Sequence, residues 1–189
     1  CGPLLGWGGV YVWAGGPTLV GRPRPTAILR SSDPSRCGFL CDLPLGGQGL
    51  DVLDLTGDGV VDVVACSREA DARGIQAAGA IYVWAGGPRL AGNCDPSATL
   101  SVPGATVGDR LCNTDGQPIL FGDVSGDGQI DVVAGTAYAN RWPRWLVGAI
   151  YVWRGGARLR GQVAPDASLT VPGAADNDRL GVITEAQGF

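Results

Sequence analysis

Two nine-residue stretches hold the residues best suited to chemistry: DLTGDGVVD, Asp54 to Asp62, and DVSGDGQID, Asp123 to Asp131. Oxygen-bearing side chains stand at positions 1, 3, 5 and 9 of each. These are Asp54, Thr56, Asp58 and Asp62, then Asp123, Ser125, Asp127 and Asp131. Gly59 and Gly128 occupy position 6, where a loop closing round an ion must turn sharply. Three carboxylates within nine residues repel one another without a counter-ion. A hard cation such as Ca²⁺ takes about six to eight oxygens. The three carboxylates, the hydroxyl, the position-7 carbonyl of Val60 or Gln129 and water would supply them. The spacing therefore predicts two calcium sites.

The elements flanking these loops are strands. Position 12 is Ala65 or Ala134 rather than the bidentate glutamate of an EF-hand loop, and VDVVA and IDVVA follow instead of a helix. Each loop is thus expected to turn a β-hairpin. The chain also repeats itself. GGVYVWAGGPTL begins at Gly8, GAIYVWAGGPRL at Gly79 and GAIYVWRGGARL at Gly148, with Trp13, Trp84 and Trp153 spaced 71 and 69 residues apart. A second motif reads ATLSVPGATVGDRLC over 98–112 and ASLTVPGAADNDRLG over 167–181, with a degenerate copy AILRSSDPSRCGFLC over 27–41. One unit reads as four short strands: 119–124, 130–135, 149–155 and 167–171. Their β-branched and aromatic residues are bounded by Gly, Pro and Asp. An all-β fold of four-stranded antiparallel β-propeller blades fits this period.

The succession D-x-x-G-D-G-x-x-D, DVVAG, GAIYVW and RLG resembles the FG-GAP repeat, the blade of integrin α-chain propellers and of many bacterial extracellular proteins. The resemblance covers essentially the whole chain. It implies one Ca²⁺ in the hairpin between the first two strands of a blade, held at Asp54, Thr56, Asp58, Val60 and Asp62, and at Asp123, Ser125, Asp127, Gln129 and Asp131. The "FG" pair of the repeat is Leu40-Cys41, Leu111-Cys112 and Leu180-Gly181 here, and Cys66 stands where the next copy has Gly135. Cysteine thus replaces a repeat glycine in several copies, as disulfide bracing would allow.

Counting units gives an incomplete ring. A partial blade with its connection spans 1–47, full blades span 48–117 and 118–181, and a further blade begins at 182–189. Such a chain cannot close a propeller alone; it is expected to be part of a longer protein or a protomer completed by other copies.

Composition narrows the function. The 189 residues carry a net charge of −4, with no basic stripe to suit nucleic acid. No apolar run approaches the about 20 residues of a membrane helix. All 14 basic residues are arginine. The sequence has no histidine, lysine or G-x-S-x-G elbow, and nearly all its clustered aspartates are committed to the loops, so no enzymatic activity is expected. Six cysteines without a C-x-x-C pair favour disulfides and an oxidising, extracellular setting, with Cys94–Cys112 and Cys37–Cys41 as candidates.

Binding is expected on the face opposite the aspartate loops. There the segments 67–78 and 136–145 carry Trp142, Arg144 and Trp145, residue types enriched in binding hot spots. Their partner would be a protein or a glycan. Three roles follow: a calcium-binding adhesion or ligand-binding module, a subunit whose partial blades are completed by other copies, or an accessory propeller of a larger secreted enzyme. The recurring Asp109-Arg110 and Asp178-Arg179 are expected to be turn caps or ion pairs, and the Tyr and Trp of each YVW run to pack between blades.

Overall fold

A computed structural model describes residues 9–17, 19–30, 49–113, 119–140 and 143–181. Among these residues every regular element is a short strand. In chain order they are β1 (Val10–Val12), β2 (Ala27–Leu29), β3 (Leu50–Leu53), β4 (Asp62–Ser67), β5 (Ala80–Trp84) and β6 (Gly92–Cys94). They continue with β7 (Ala98–Leu100), β8 (Ile119–Gly122), β9 (Asp131–Thr136), β10 (Ala149–Trp153), β11 (Gly161–Val163) and β12 (Ala167–Leu169). Strands β8-β9-β10-β12 form one antiparallel four-stranded sheet, and β3-β4-β5-β7 form a second in the same order. Tyr82 opposes Ala65 and Tyr151 opposes Ala134, so the two sheets share one register. β1 and β2 are the third and fourth strands of an earlier copy. The fold is all-β and propeller-like, an open array rather than a closed ring.

Two strands have no counterpart in the sequence reading. β6 and β11, of sequence GNC and GQV, lie in the connection between the third and fourth strands of their own blades. Each crosses to the blade before it and pairs parallel with that blade's outer strand, β6 on β2 and β11 on β7. The tryptophans secure this crossing. Trp84 Nε1 donates to the Cys94 carbonyl at 3.2 Å, and Trp153 Nε1 to the Val163 carbonyl at 3.3 Å. Trp13 makes the corresponding bond to the carbonyl of Pro23. An indole N–H has one donor to place, and in each copy the carbonyl ten residues on accepts it.

Packing between blades makes the core. Ala27, Leu29, Val63, Ala65, Tyr82 and Trp84 form one buried cluster, between β1-β2 and the first full blade. Val64, Cys66, Ile81, Val83, Val132, Ala134, Tyr151 and Trp153 form another, between the two full blades. Strand alternation sends successive side chains to opposite faces. β4 and β5, covered on both faces, are buried along their whole length, whereas β10 alternates buried and half-buried. The Tyr and Trp of the two later YVW runs therefore pack between blades, as their spacing predicts. Tyr11 and Trp13 in the first run stay about half exposed.

Among the described residues Cys66, Cys94 and Cys112 are not bonded to one another in this structure. The expected Cys94–Cys112 bridge is not present. Cys94 lies on the crossing strand β6, with its sulfur near the carbonyl of Ala91, while Cys112 is buried beside Cys66 between the full blades. The sequence could not foresee this, because the detour of β6 carries Cys94 onto the earlier blade. Cys37–Cys41, the Leu40-Cys41 pair and the segment 182–189 lie outside the described residues.

Candidate functional site

The two aspartate loops, between β3 and β4 and between β8 and β9, share one hydrogen-bond plan. Asp54 accepts the N–H groups of Gly57, Asp58 and Gly59 at 2.8, 3.1 and 2.8 Å. Asp123 accepts those of Gly126, Asp127 and Gly128 at 2.7, 3.0 and 2.9 Å. Glycines 57, 59, 126 and 128 all take positive φ, which lets the backbone curl its N–H groups onto one carboxylate. Asp58 and Asp127 are exposed and accept one N–H each, from Val60 and Gln129.

The position-9 aspartates face inward. Asp62 is fully buried and accepts Leu55, Thr56 and Gly86 N–H at 2.9, 2.8 and 2.8 Å. Asp131 is equally buried and accepts Val124, Ser125 and Gly155 N–H at 3.1, 2.8 and 3.1 Å. Burial alone would raise the Asp131 carboxyl, but the N–H donors of Gly155, Ser125 and Val124 outweigh it and hold the group below the usual carboxylate range. Gly86 and Gly155 belong to the turn after the third strand, so each position-9 carboxylate ties the two hairpin turns of one face together. A Cβ at Gly86 would strike the Val61 carbonyl, and one at Gly155 the Ile130 carbonyl. These second-turn glycines escaped the sequence reading. Their signal was the repeated WAGG and WRGG.

The loops also touch each other. Gly156 N–H donates to the Leu55 carbonyl at 2.8 Å, and the Gln129 amide lies over Gly57. The chemistry of the donors suits a hard cation: only oxygens are offered, and the buried Ser125 hydroxyl has no hydrogen-bond partner. That hydroxyl leans toward Asp131 without a bond of normal geometry, and Thr56 Oγ1 makes only a long 3.4 Å contact with Asp62. Among the described residues no three acidic or cysteine side chains are drawn together as a ready metal cluster. Each carboxylate is turned onto backbone N–H groups, and a cation would compete with those donors for lone pairs.

Two cavities are notable, the first at the seam between the full blades and the second within the last full blade. One of about 360 Å³ lies on the aspartate-loop face, lined by Asp58, Trp84, Arg89, Cys94, Asp95 and Arg160 among others. The other, about 350 Å³, is on the opposite face beside Arg144, Val147, Thr170 and Val171. Arg144 and Trp145 are exposed there, and Trp145 N–H donates to Asp176. Trp142 lies outside the described residues. Cavity size does not favour one face over the other.

The Asp-Arg turns cap rather than react. Asp109 is buried and accepts from both the N–H and the hydroxyl of Thr106. Arg110 pairs with Glu69 at 3.2 Å, and Asp178 accepts the Ala175 N–H.

No protein-family model matches the chain. It is similar to phosphatidylinositol-glycan-specific phospholipase D of Homo sapiens, at 29% identity over 136 residues, 72% of this chain and 14% of that protein. The Bos taurus phosphatidylinositol-glycan-specific phospholipase D is 31% identical over 93 residues, 49% of this chain and 10% of that protein. The chain thus spans no more than about one-seventh of the length of these curated relatives.

Proposed function

We propose that this chain is a calcium-braced FG-GAP propeller segment that is itself non-catalytic and serves an extracellular protein as a binding or accessory module. The observation that carries this reading is the duplicated aspartate loop. In both copies an oxygen-only donor set is assembled on one hydrogen-bond plan, and in the second a buried hydroxyl is left unpartnered. Extracellular calcium, in the millimolar range, suits exposed loops of this kind. The partial coverage of a phospholipase D favours the accessory role, with substrate chemistry residing in other parts of such an enzyme. A ligand, protein or glycan, would be read by the loops between the second and third strands of a blade, around Arg144 and Trp145, on the face away from the ions.

Thermal unfolding with and without calcium tests the central claim. A cation that binds only the folded chain at about 100 times its Kd adds about 2.7 kcal/mol. For a domain of this size that raises Tm by about 5–10 °C over the EGTA-treated protein. Identical melting curves in calcium and in EGTA would remove the calcium assignment.

A second reading, assembly with further copies, rests on the half-exposed Tyr11 and Trp13 at one end of the array and the exposed Leu169 and Val171 at the other. In the interior copies the matching Tyr and Trp are buried against a neighbouring blade.

A further inference from the structure

Cys66 and Cys112 occupy positions that the next copy fills with Gly135 and Gly181, each 69 residues on. In that copy the two glycines meet backbone to backbone. A Cβ on Gly181 would lie 3.1 Å from the Gly135 Cα and 2.9 Å from the Thr136 nitrogen, and a Cβ on Gly135 would strike the Gly181 carbonyl. The contact admits no side chain on either partner. In the earlier copy both positions change together to cysteine, both are more than nine-tenths buried, and the two thiols lie within hydrogen-bonding reach. We propose that Cys66 and Cys112 are joined by a disulfide that locks the fourth-strand turn onto the inner strand β4 at the seam between the two full blades.

The surroundings suit a bridge better than two thiols. The pair sits in the apolar cluster with Ile81, Leu111 and Ala149. Among the described residues no third cysteine or carboxylate joins the pair to make a metal site. Cys112 also holds φ at +72°, a left-handed conformation that its counterpart Gly181 adopts without penalty. A side chain at such a position carries some backbone strain, which a covalent link would help to hold in place. Burial first, and the neighbouring Cys66 thiol second, push the Cys112 thiol well above the usual range, so attack by the thiolate is slow once the seam has closed. The bond therefore forms during folding. The two thiols lose two protons and two electrons, and a disulfide-bearing carrier accepts them and leaves as two thiols. The proposal draws on the extracellular reading only for that oxidant.

Peptide mapping tests it. The chain is refolded with reduced and oxidised glutathione, once with calcium and once with EGTA, and alkylated in denaturant with iodoacetamide. Trypsin combined with a protease cutting before aspartate isolates Cys66 in Asp62–Arg68 and Cys112 in Leu111–Thr114. The expected product is these two peptides linked, two hydrogens lighter than their sum, and separated by reduction. Both peptides recovered alkylated, or Cys112 linked to Cys94 or any other cysteine, would overturn the proposal. A bond formed equally in EGTA stands even if the calcium reading falls. The oxidised chain should melt about 10 °C above its reduced form, as expected for a closed loop of some 47 residues. The Cys66→Gly/Cys112→Gly variant, which copies the neighbouring seam, should lose most of that difference; a variant retaining all of it would refute the link.

Discussion

At the residue scale the aspartates of one loop divide the work. Asp62 is buried and takes three backbone N–H groups, so removing its carboxylate orphans donors inside the fold. Asp58 is exposed and takes one. Asp62→Ala is therefore expected to destabilise the EGTA-treated chain by about 3 kcal/mol or more, as for a broken buried charge network. Asp58→Ala should change that baseline by under about 0.5 kcal/mol yet abolish most of the calcium-induced rise in Tm. Urea denaturation of both variants in EGTA, repeated in calcium, separates the two effects. Equal losses from the two variants in EGTA would contradict this division. Position and residue type of all eight oxygen-bearing loop side chains were legible in the sequence, because a nine-residue turn is local. Which carboxylate faced inward was not, since that depends on Gly86 and Gly155 arriving from 24 residues away.

Elements are fixed by where blades meet. The four antiparallel strands per unit announce themselves through β-branched and aromatic runs, and their observed bounds lie within a few residues of those expected. β6 and β11 do not, because GNC and GQV carry no strand signature and exist only through pairing with the blade before. The glycines give a clean test of how closely the turns approach. Gly155→Ala pushes a methyl into the Ile130 carbonyl and should cost about 1–3 kcal/mol. Gly122→Ala, on the open edge strand β8 with nothing nearby and no positive φ, should be neutral or slightly stabilising. Chemical denaturation midpoints decide; a neutral Gly155→Ala would mean that the two turns are not in contact.

On the scale of the whole molecule, the described residues form an array open at both ends. Trp84 and Trp153 are 1% and 0% exposed against their neighbours, while Trp13, the same residue of the first copy, is 45% exposed. Such a face is normally covered. The isolated chain is expected to self-associate as its concentration rises, and Trp13→Asp or Leu169→Asp to return it to a single chain in sedimentation equilibrium. A wild-type chain that sediments as one protomer at every concentration would show that neither face recruits a copy.

By itself the sequence determined what is periodic and local: the all-β class, the blade repeat, the composition of the two aspartate loops and the lack of histidine or lysine chemistry. These follow from alternation and short-range spacing, which a linear chain carries openly. Only the tertiary structure decided which residues meet across the seams. It set Cys112 against Cys66 rather than Cys94, carried β6 and β11 onto the preceding blades, and turned Asp62 and Asp131 inward to bind a second turn. Those pairings depend on how one twisted sheet stacks on the next, and stacking has no period along the chain.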